Sequence, residues 1–254
     1  MKPAADFLWG RSRISGPGSD FLELAVGRRV LYLKRELAPK ASAIIARLGE
    51  LRSSTAQGVG NRASGYVIHI DDRAEIFVRH TRRGGLMRFL INDLYFGVRP
   101  RPLRELAVAV EAYRRGVPTA EPLGAMVESV GTAIYRGFFL TRAIRGMTLW
   151  EFVRTDDDPV VRSHVLEQAR RAIDTMHQNG LYHADLNLHN LFVTQAGESF
   201  ATIILDLDKA RLFRTSVPAG RQRLNLARLR RSARKLDPEG RYLDESALAL
   251  LTGS

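Results

Sequence analysis

The stretch LYHADLNLHNLF, residues 181–192, decides the interpretation of this chain. It places His183, Asp185 and Asn190 in the spacing H-x-D-x4-N, and a later apolar stretch, IILDLDKA, places Asp206 at the end of a predicted strand. Phosphoryl transfer needs a carboxylate that orients and deprotonates a hydroxyl, and oxygen ligands that hold Mg²⁺. The ordered set therefore predicts a phosphotransferase, with Asp185 as catalytic base and Asn190 and Asp206 as metal ligands. His183 is expected to bond to backbone groups and stabilise the loop, and a role as general base is the alternative.

A glycine-rich polar stretch and two predicted strands precede this site in the chain. Gly58 and Gly60 lie in residues 53–65, ahead of strands predicted at 66–70 and 74–80. The backbone N–H groups of such a loop can approach the phosphates of a nucleotide, although an ordinary hairpin turn is the simpler explanation. We therefore treat these two glycines as candidate nucleotide-binding residues.

A cation and a carboxylate follow the glycine-rich stretch. Arg79, near the end of the second strand, is the candidate cation for the nucleotide phosphates. A helix is predicted from Leu103 to Tyr113, and Glu105 in its first turn is the candidate partner of Arg79. The alternative for Glu105 is a carboxylate that favours the helix dipole alone. Between strand and helix, TRRGGLMR at 81–88 is interpreted as an anion-contacting loop, with a solvated turn as the alternative.

The composition of the chain excludes cysteine-based sites and predicts the charge of its partner. The chain has 254 residues, no cysteine and a formal net charge of +12. The absence of cysteine excludes a disulfide framework and a thiolate zinc site, and fits a reducing cytoplasm. The N-terminal sequence lacks the apolar region of a signal peptide, and no apolar run is long enough to span a membrane. The positive charge predicts an anionic partner: nucleic acid, a phosphorylated ligand or an acidic membrane surface.

The C-terminal part of the chain narrows the substrate class. No A-P-E motif follows Asp206, and the remaining chain is too short for a long activation loop, so a peptide-docking platform is not expected. The segment 222–236, QRLNLARLRRSARKL, is predicted to form a basic amphipathic helix whose apolar stripe contains Leu226, Leu229 and Ala233. Such a helix suits an anionic membrane surface or a phosphorylated glycolipid, and packing of the stripe on the rest of the protein is the alternative.

Several motifs resemble those of known kinases. HADLNLHN and LDLD resemble the catalytic and metal-binding motifs of the protein-kinase-like superfamily. VRHTRRGG, RPLREL, RRGVPTAEPLGA and LYHADLNLHNLFV resemble the bacterial 3-deoxy-D-manno-octulosonic acid (Kdo) kinases, which are allied with the lipopolysaccharide core heptose kinases. The resemblance implies a two-lobed, protein-kinase-like α+β fold. Residues 1–52 would form an N-terminal segment of unassigned role, 53–140 a small lobe with an antiparallel sheet, and 141–254 a mainly helical, truncated large lobe.

The same resemblance implies an activity and a location. Members of this group use ATP and Mg²⁺ to phosphorylate the Kdo sugar of a lipid A precursor, at the cytoplasmic side of the bacterial inner membrane. The expected partners are therefore that anionic glycolipid and the anionic membrane surface, to which the protein would bind peripherally. One alternative is a kinase of another small hydroxyl compound or of a core heptose. Another is an inactive kinase fold that binds nucleotide or membrane as a scaffold. Nucleic acid is not expected, because no recognition motif or series of stacking aromatics is present.

Three positions depart from the patterns of these groups. Gly60-Asn61-Arg62 stands where the Kdo kinases tend to have G-R-G. Asn187 replaces the lysine of protein kinases, as is usual in small-molecule phosphotransferases. Asp208 occupies the position of the D-F-G glycine, where it could contact metal or pair with Arg211, and the loss of that glycine argues against a D-F-G-type flip.

Overall fold

A computed structural model describes most of the chain and divides it into two compact units. The described residues are 2–3, 18–53, 65–71, 74–80, 95–96, 100–131, 134–197 and 199–253. One unit comprises Met1–Glu111 and Glu121–Ala143, and the other comprises Ala112–Ala120 and Ile144–Ser254.

The first unit is built on an antiparallel sheet. Its strands are β1 (Lys2–Pro3), β2 (Phe21–Val26), β3 (Arg29–Lys34), β4 (Gly65–Asp71), β5 (Ala74–His80), β6 (Tyr95–Phe96), β7 (Pro122–Ser129) and β8 (Ile134–Arg142). Their order in the sheet is β1-β2-β3-β7-β8-β5-β4, and β6 also pairs with β8. All these pairings are antiparallel, as predicted for the small lobe at residues 53–140. The sheet also includes β1, β2 and β3 from the N-terminal segment, residues 1–52, for which no role was predicted.

The N-terminal hairpin belongs to this sheet. β2 and β3 pair over their full length around Gly27, whose φ of +59° suits the tight turn. In the sequence, the apolar runs LELAV and VLYLK lie on either side of Gly27 and predict a hairpin at residues 21–33, which the structure confirms. β3 in turn pairs with β7 from Arg29↔Glu128 to Leu33↔Gly124, which places the hairpin next to strands far away in the sequence.

A 3-10 helix and two α-helices accompany the sheet. A 3-10 helix, Arg35–Lys40, leads into α1 (Ala41–Ser53), and α2 (Arg101–Arg114) follows β6. Ile44 and Leu48 of α1, one turn apart, are almost completely buried in a core that also contains residues from β3, β4, β5, β7 and β8. The spacing of apolar residues in the sequence therefore identifies the buried face of α1.

The second unit is mainly helical. Its helices are α3 (Leu149–Thr155), α4 (Pro159–Gln178), α5 (Ala219–Leu236) and α6 (Glu245–Thr252). Its short strands are β9 (Met147–Thr148), β10 (Leu181–Tyr182), β11 (Leu191–Ala196), β12 (Ser199–Ile204) and β13 (Arg211–Leu212). β12, β11 and β9 form one small sheet, and β10 pairs with β13 in another. The predicted α+β fold class, with sheet first and helices second, is confirmed.

The ends of α4 explain how the chain enters the candidate site. Asp158 caps the first turn by accepting hydrogen bonds from Val160 and Val161, and Pro159 occupies the first helical position. At the other end Gly180 has a φ of +79°, and a Cβ atom there would lie 2.4 Å from the carbonyl oxygen of Thr215. Glycine is therefore required where the chain turns from α4 into β10.

Helix α5 packs on the second unit through its apolar face. Leu229 and Ala233 are buried, and α5 contacts both α6 and β10. The packed helix predicted as the alternative for this segment is thus observed. Within the described ranges, no helix combines the length and apolar character needed to cross a bilayer.

Candidate active site

The H-x-D-x4-N stretch forms a loop between β10 and β11 that two leucines anchor. Leu186 and Leu188 are fully buried, whereas the Asp185 side chain between His183 and Leu186 is half exposed. The alternating sequence D-L-N-L therefore fixes the loop by hydrophobic burial and leaves the aspartate accessible. Burying a leucine contributes about 2 kcal/mol, so the two anchors stabilise the loop appreciably.

Hydrogen bonds to the backbone carbonyl oxygen of Asp185 stabilise the loop. The side-chain amides of Asn187 and Asn190 each donate a hydrogen bond to this oxygen, at 2.9 Å. Asn187 also accepts a hydrogen bond from the backbone N–H of His189, at 3.0 Å. Both polar groups of Asn187 thus stabilise the loop itself, at the position where protein kinases carry a lysine.

His183 joins the loop to the strand that ends before Asp206. Its Nε2 lies 2.9 Å from the carbonyl oxygen of Leu205, and its Nδ1 accepts a hydrogen bond from the backbone N–H of Asp185, at 3.2 Å. Because a carbonyl oxygen only accepts, Nε2 carries the proton, and the imidazole is held in one neutral tautomer. Burial lowers the pKa of His183 and favours that neutral form. The prediction that His183 bonds to backbone groups is confirmed.

Asp206 follows β12 in an unusual backbone conformation. Its φ of +60° is the one positive value that a non-glycine residue adopts in the described part of the chain. Aspartate tolerates this left-handed region better than most residues, but the conformation still costs free energy and is typical of functional sites. The backbone N–H of Leu205 donates to the carbonyl of Asn190 at 2.9 Å. Asp206, the next residue in the chain, therefore lies close to the end of the loop.

Asn190 and Asp206 have the chemistry of Mg²⁺ ligands. The Nδ2 group of Asn190 donates to the Asp185 carbonyl, which leaves Oδ1 as its ligand atom. Mg²⁺ typically takes one or two carboxylates and completes its shell with water and substrate phosphates. Across the ranges that the structure covers, no three His, Cys, Asp or Glu side chains are grouped to hold a metal. One carboxylate and one amide oxygen leave coordination positions for water and phosphate oxygens, so Asn190 and Asp206 fit an ion shared with a nucleotide. Their role as ligands stays a prediction.

One residue that binds the backbone of this loop was not predicted from the sequence. Asn225 of α5 is fully buried, accepts a hydrogen bond from the backbone N–H of His183 at 3.3 Å, and donates to the His183 carbonyl at 2.5 Å. Its Oδ1 also lies 3.1 Å from Nε2 of His177, which is buried at the end of α4. Asn225 thus links α4, α5 and the loop. The sequence contains one indication of this role: Asn225 lies one turn before Leu229 and two turns before Ala233, so it shares the buried face of α5 with them.

The candidate nucleotide residues of the first unit form an ion pair. Arg79 of β5 contacts Glu105 of α2 through Nη2 and Oε1, and Glu105 is 1% exposed. The guanidinium also lies 6.0 Å from the ring centre of Phe139. The predicted pairing of Arg79 with Glu105 is therefore observed, whereas the binding of phosphate by Arg79 stays a prediction. The predicted phosphate contacts of Gly58 and Gly60, and the loop at 81–88, lie outside the described residues.

Replacing Glu105 by glutamine is expected to weaken both the first unit and nucleotide binding. The variant keeps the shape of the side chain but removes the charge opposite Arg79, which is only 26% exposed. Loss of one partner of such a pair costs about 2 kcal/mol of unfolding free energy. Urea denaturation and titration with a fluorescent ATP analogue measure the two effects.

The matched control for this prediction is Glu50→Gln. Glu50 pairs with Arg47 on α1, and both side chains are more than half exposed. An exposed pair is worth less than about 1 kcal/mol, so this variant should be nearly neutral. Equal effects of the two substitutions would contradict a special role for the Arg79–Glu105 pair.

The two buried imidazoles predict a loss of stability in mild acid. Desolvation lowers the pKa of both His177 and His183 from the ordinary 6.5. Below pH 6.5 the unfolded chain therefore binds more protons than the folded chain, and the unfolding free energy decreases as pH falls. The loss is at most about 1.4 kcal/mol per imidazole for each pH unit. Urea denaturation at pH 7.5 and pH 5.5 measures it.

Two variants sharpen the pH prediction. His177→Gln removes one titrating group and keeps a donor toward Asn225, so its loss of stability in acid should be about half that of the wild type. His164→Gln, at an exposed position on α4, is the control for the substitution itself and should change the unfolding free energy at pH 7.5 by less than about 0.5 kcal/mol. A wild-type protein that is equally stable at both pH values would contradict the neutral, buried state of these histidines.

The sequence of this chain is similar to the sequences of a known protein family. The family model described as "Lipopolysaccharide kinase (Kdo/WaaP) family" matches residues 53–245. A 3-deoxy-D-manno-octulosonic acid kinase of Xylella fastidiosa (strain 9a5c) is 36% identical over 167 residues, which cover 64% of this chain and 63% of the relative. A protein of the same name from Stenotrophomonas maltophilia (strain R551-3) is 32% identical over 188 residues, which cover 72% of this chain and 70% of the relative.

A solved structure agrees at the level of the fold. The structure titled "WaaP in complex with acyl carrier protein" superposes with a TM-score of 0.52, and the match covers 88% of this chain and 89% of that chain. Its sequence identity of 16% supports similarity of fold alone. The Xylella match spans slightly less than two thirds of the relative's length, whereas the family match spans most of the present chain. On the combined evidence of the motif, the loop geometry and the sequence match, the chain belongs to the lipopolysaccharide kinase (Kdo/WaaP) family.

Proposed function

We propose that this protein transfers the γ-phosphoryl group of ATP to a hydroxyl of the Kdo sugar of a lipid A precursor. The observation that carries the proposal is the loop around Asp185. Its carbonyl is bound by Asn187 and Asn190, and its N–H group is held by His183, while its carboxylate is half exposed. A carboxylate on a rigid backbone, open to a substrate, is what a general base requires. The names of the relatives supply the identity of the sugar.

In this mechanism Asp185 acts on the acceptor hydroxyl. Its carboxylate accepts a hydrogen bond from the hydroxyl, aligns the oxygen with the γ-phosphorus, and takes the proton as the new O–P bond forms. The bond between the γ-phosphorus and the bridging oxygen of ADP breaks in the same displacement. His183 does not exchange the proton, because both its nitrogens bond to backbone groups. It serves as a positioning residue.

The remaining candidate residues hold the nucleotide. Oδ1 of Asn190 and the carboxylate of Asp206 would bind Mg²⁺, which neutralises charge on the phosphates when it is bound. Arg79, oriented by Glu105, would pair with phosphate oxygens, and the backbone at Gly58 and Gly60 would lie over them. Each of these roles is part of the proposal.

We further propose that α5 brings the protein to the anionic cytoplasmic surface of the inner membrane. Arg230 and Arg234 are paired with Glu245 of α6, so part of the positive charge of α5 is neutralised within the protein. Arg223 and Arg231 are exposed and support attraction to acidic headgroups, worth about 1 kcal/mol for each charge near the surface. The expected mode is peripheral.

Mass spectrometry of the acceptor tests the proposed reaction. The full chain is incubated with ATP, MgCl₂ and Kdo–lipid A precursor, and one phosphate should be added to the Kdo residue. The same incubation with EDTA should show no addition. Transfer to a heptose or to another small hydroxyl compound, but not to the Kdo acceptor, would replace the proposed substrate. No transfer to any acceptor would favour the inactive, nucleotide-binding scaffold.

A further inference from the structure

Two residues of α5, one turn apart, face the candidate catalytic loop. Asn225 is buried and holds the backbone of His183. Arg228 follows one turn later, and its Nη1 lies 3.9 Å from Oδ1 of Asp185. Because residues three positions apart share one side of a helix, the contact that fixes the loop also fixes the position of the cation. α5 thus places a permanent positive charge beside the carboxylate that would receive the acceptor hydroxyl.

The contact between Arg228 and Asp185 contributes little to the stability of the fold. At 3.9 Å it is longer than a hydrogen bond, and the two side chains are 44% and 50% exposed. Such a pair is worth at most about 1 kcal/mol. It also involves one nitrogen of a guanidinium that carries five N–H donors, so Arg228 can bind a second carboxylate while it remains beside Asp185.

We infer that Arg228 binds the carboxylate of the acceptor sugar and thereby selects a sugar acid over a neutral sugar. The inference rests on the proposed function. A hydroxyl that reaches Asp185 carries the rest of its sugar ring with it, so a carboxylate on the same ring comes within reach of the adjacent guanidinium. Arginine suits this task better than lysine, because its planar fork matches the two oxygens of a carboxylate.

Electrostatics give a second reason for a cation at this position. An acidic acceptor that approaches Asp185 brings a negative charge close to that carboxylate, and the triphosphate of ATP adds further repulsion. Like charges at contact distance in a protein cost several kcal/mol, unless a cation offsets them. Arg228 supplies this cation on the acceptor side, independently of the Mg²⁺ that the nucleotide requires.

The test combines Arg228→Gln with two acceptors. One is the Kdo–lipid A precursor, and the other is the same molecule with the Kdo carboxyl group converted to its neutral methyl ester. With the acid, the variant should lower kcat/KM roughly 10- to 100-fold, mainly through a higher KM for the acceptor. With the ester, wild type and variant should agree within about threefold. The KM for ATP should not change, and Arg228→Lys should recover part of the activity with the acid.

Arg171→Gln is the matched control. This arginine is 70% exposed on α4 and pairs only loosely with Glu167, so its removal takes the same charge from the same unit and should leave both activities unchanged. An equal loss with acid and ester would overturn the inference, because Arg228 would then act through Asp185 alone. An acceptor without its lipid A phosphates gives a further check. If Arg228→Gln lowered activity only with the phosphorylated acceptor, Arg228 would bind the phosphates and not the sugar carboxylate, which would likewise overturn the inference.

The two proposals fail in distinguishable ways. Wild-type transfer to the Kdo acid that Arg228→Gln leaves unaffected would refute only the role of Arg228. Transfer by the wild type to neither acceptor would refute the proposed function, and the present inference with it.

Discussion

Asp185→Asn is expected to lower kcat for phosphoryl transfer about 1,000-fold, within the range that loss of a general base typically causes. Asparagine has the size of aspartate and can still bond to a hydroxyl, but it cannot take the proton. The substitution keeps the backbone carbonyl to which Asn187 and Asn190 donate and the N–H group that bonds to His183. The loop should therefore stay intact, and ATP should bind with nearly unchanged affinity.

Three measurements separate a catalytic effect from a structural one. Single-turnover transfer from labelled ATP gives the rate of the chemical step, nucleotide titration gives the affinity, and urea denaturation gives the stability. Asp157→Asn, at a fully exposed position before α4, is the control and should not change any of them. If Asp185→Asn retained more than about a tenth of wild-type turnover, Asp185 could not be the base. A parallel loss of stability would assign the residue a structural role.

The sequence was sufficient to predict that His183, Asp185 and Asn190 lie on one loop, because their spacing is local, whereas the chemical roles of Asp185 and Asn190 stay predictions. The spacing of His183, Asp185 and Asn190 depends on a few consecutive backbone turns, and the alternating leucines between them fix which side chains face outward. The returning strand and the position of Asp206 at its end follow from the same short segment. What the local pattern could not provide is the positive φ of Asp206, which depends on the tertiary contacts that hold Leu205.

The remaining features depend on contacts between distant segments. The N-terminal hairpin was predictable from its turn, but its pairing with β7 joins residues almost 100 positions apart in the chain. Asn225 was missed for a similar reason. Within QRLNLARL it resembles an ordinary polar residue of a basic helix, and only the folded structure brings it to the backbone of His183. The same holds for Arg228, whose partner Asp185 lies in a different element.

Asn225→Ala is expected to have the largest effect on stability among the substitutions considered, and to lower activity without removing any group that touches substrate. The variant leaves the N–H and carbonyl groups of His183 and the Nε2 group of His177 without their amide partner, in a region where Asn225 itself is 0% exposed. Each buried polar group that loses its partner costs about 1–3 kcal/mol. A decrease of about 3 kcal/mol or more in the unfolding free energy should follow, measured by the urea midpoint at an unchanged m value.

The effect on activity should be larger in kcat than in the KM for ATP, because Asn225 holds the backbone next to Asp185, whereas Asn190 is the one candidate nucleotide residue that the loop carries. Leu224→Ala, an exposed position on the same helix, is the control and should change stability by less than about 0.5 kcal/mol. Asn225→Asp gives a sharper comparison. Its carboxylate can accept from the His183 N–H group but faces the His183 carbonyl with an oxygen that cannot donate, so it should recover only part of the loss. Full stability and full kcat in Asn225→Ala would show that the loop is held without Asn225, and would contradict its role as a positioning residue.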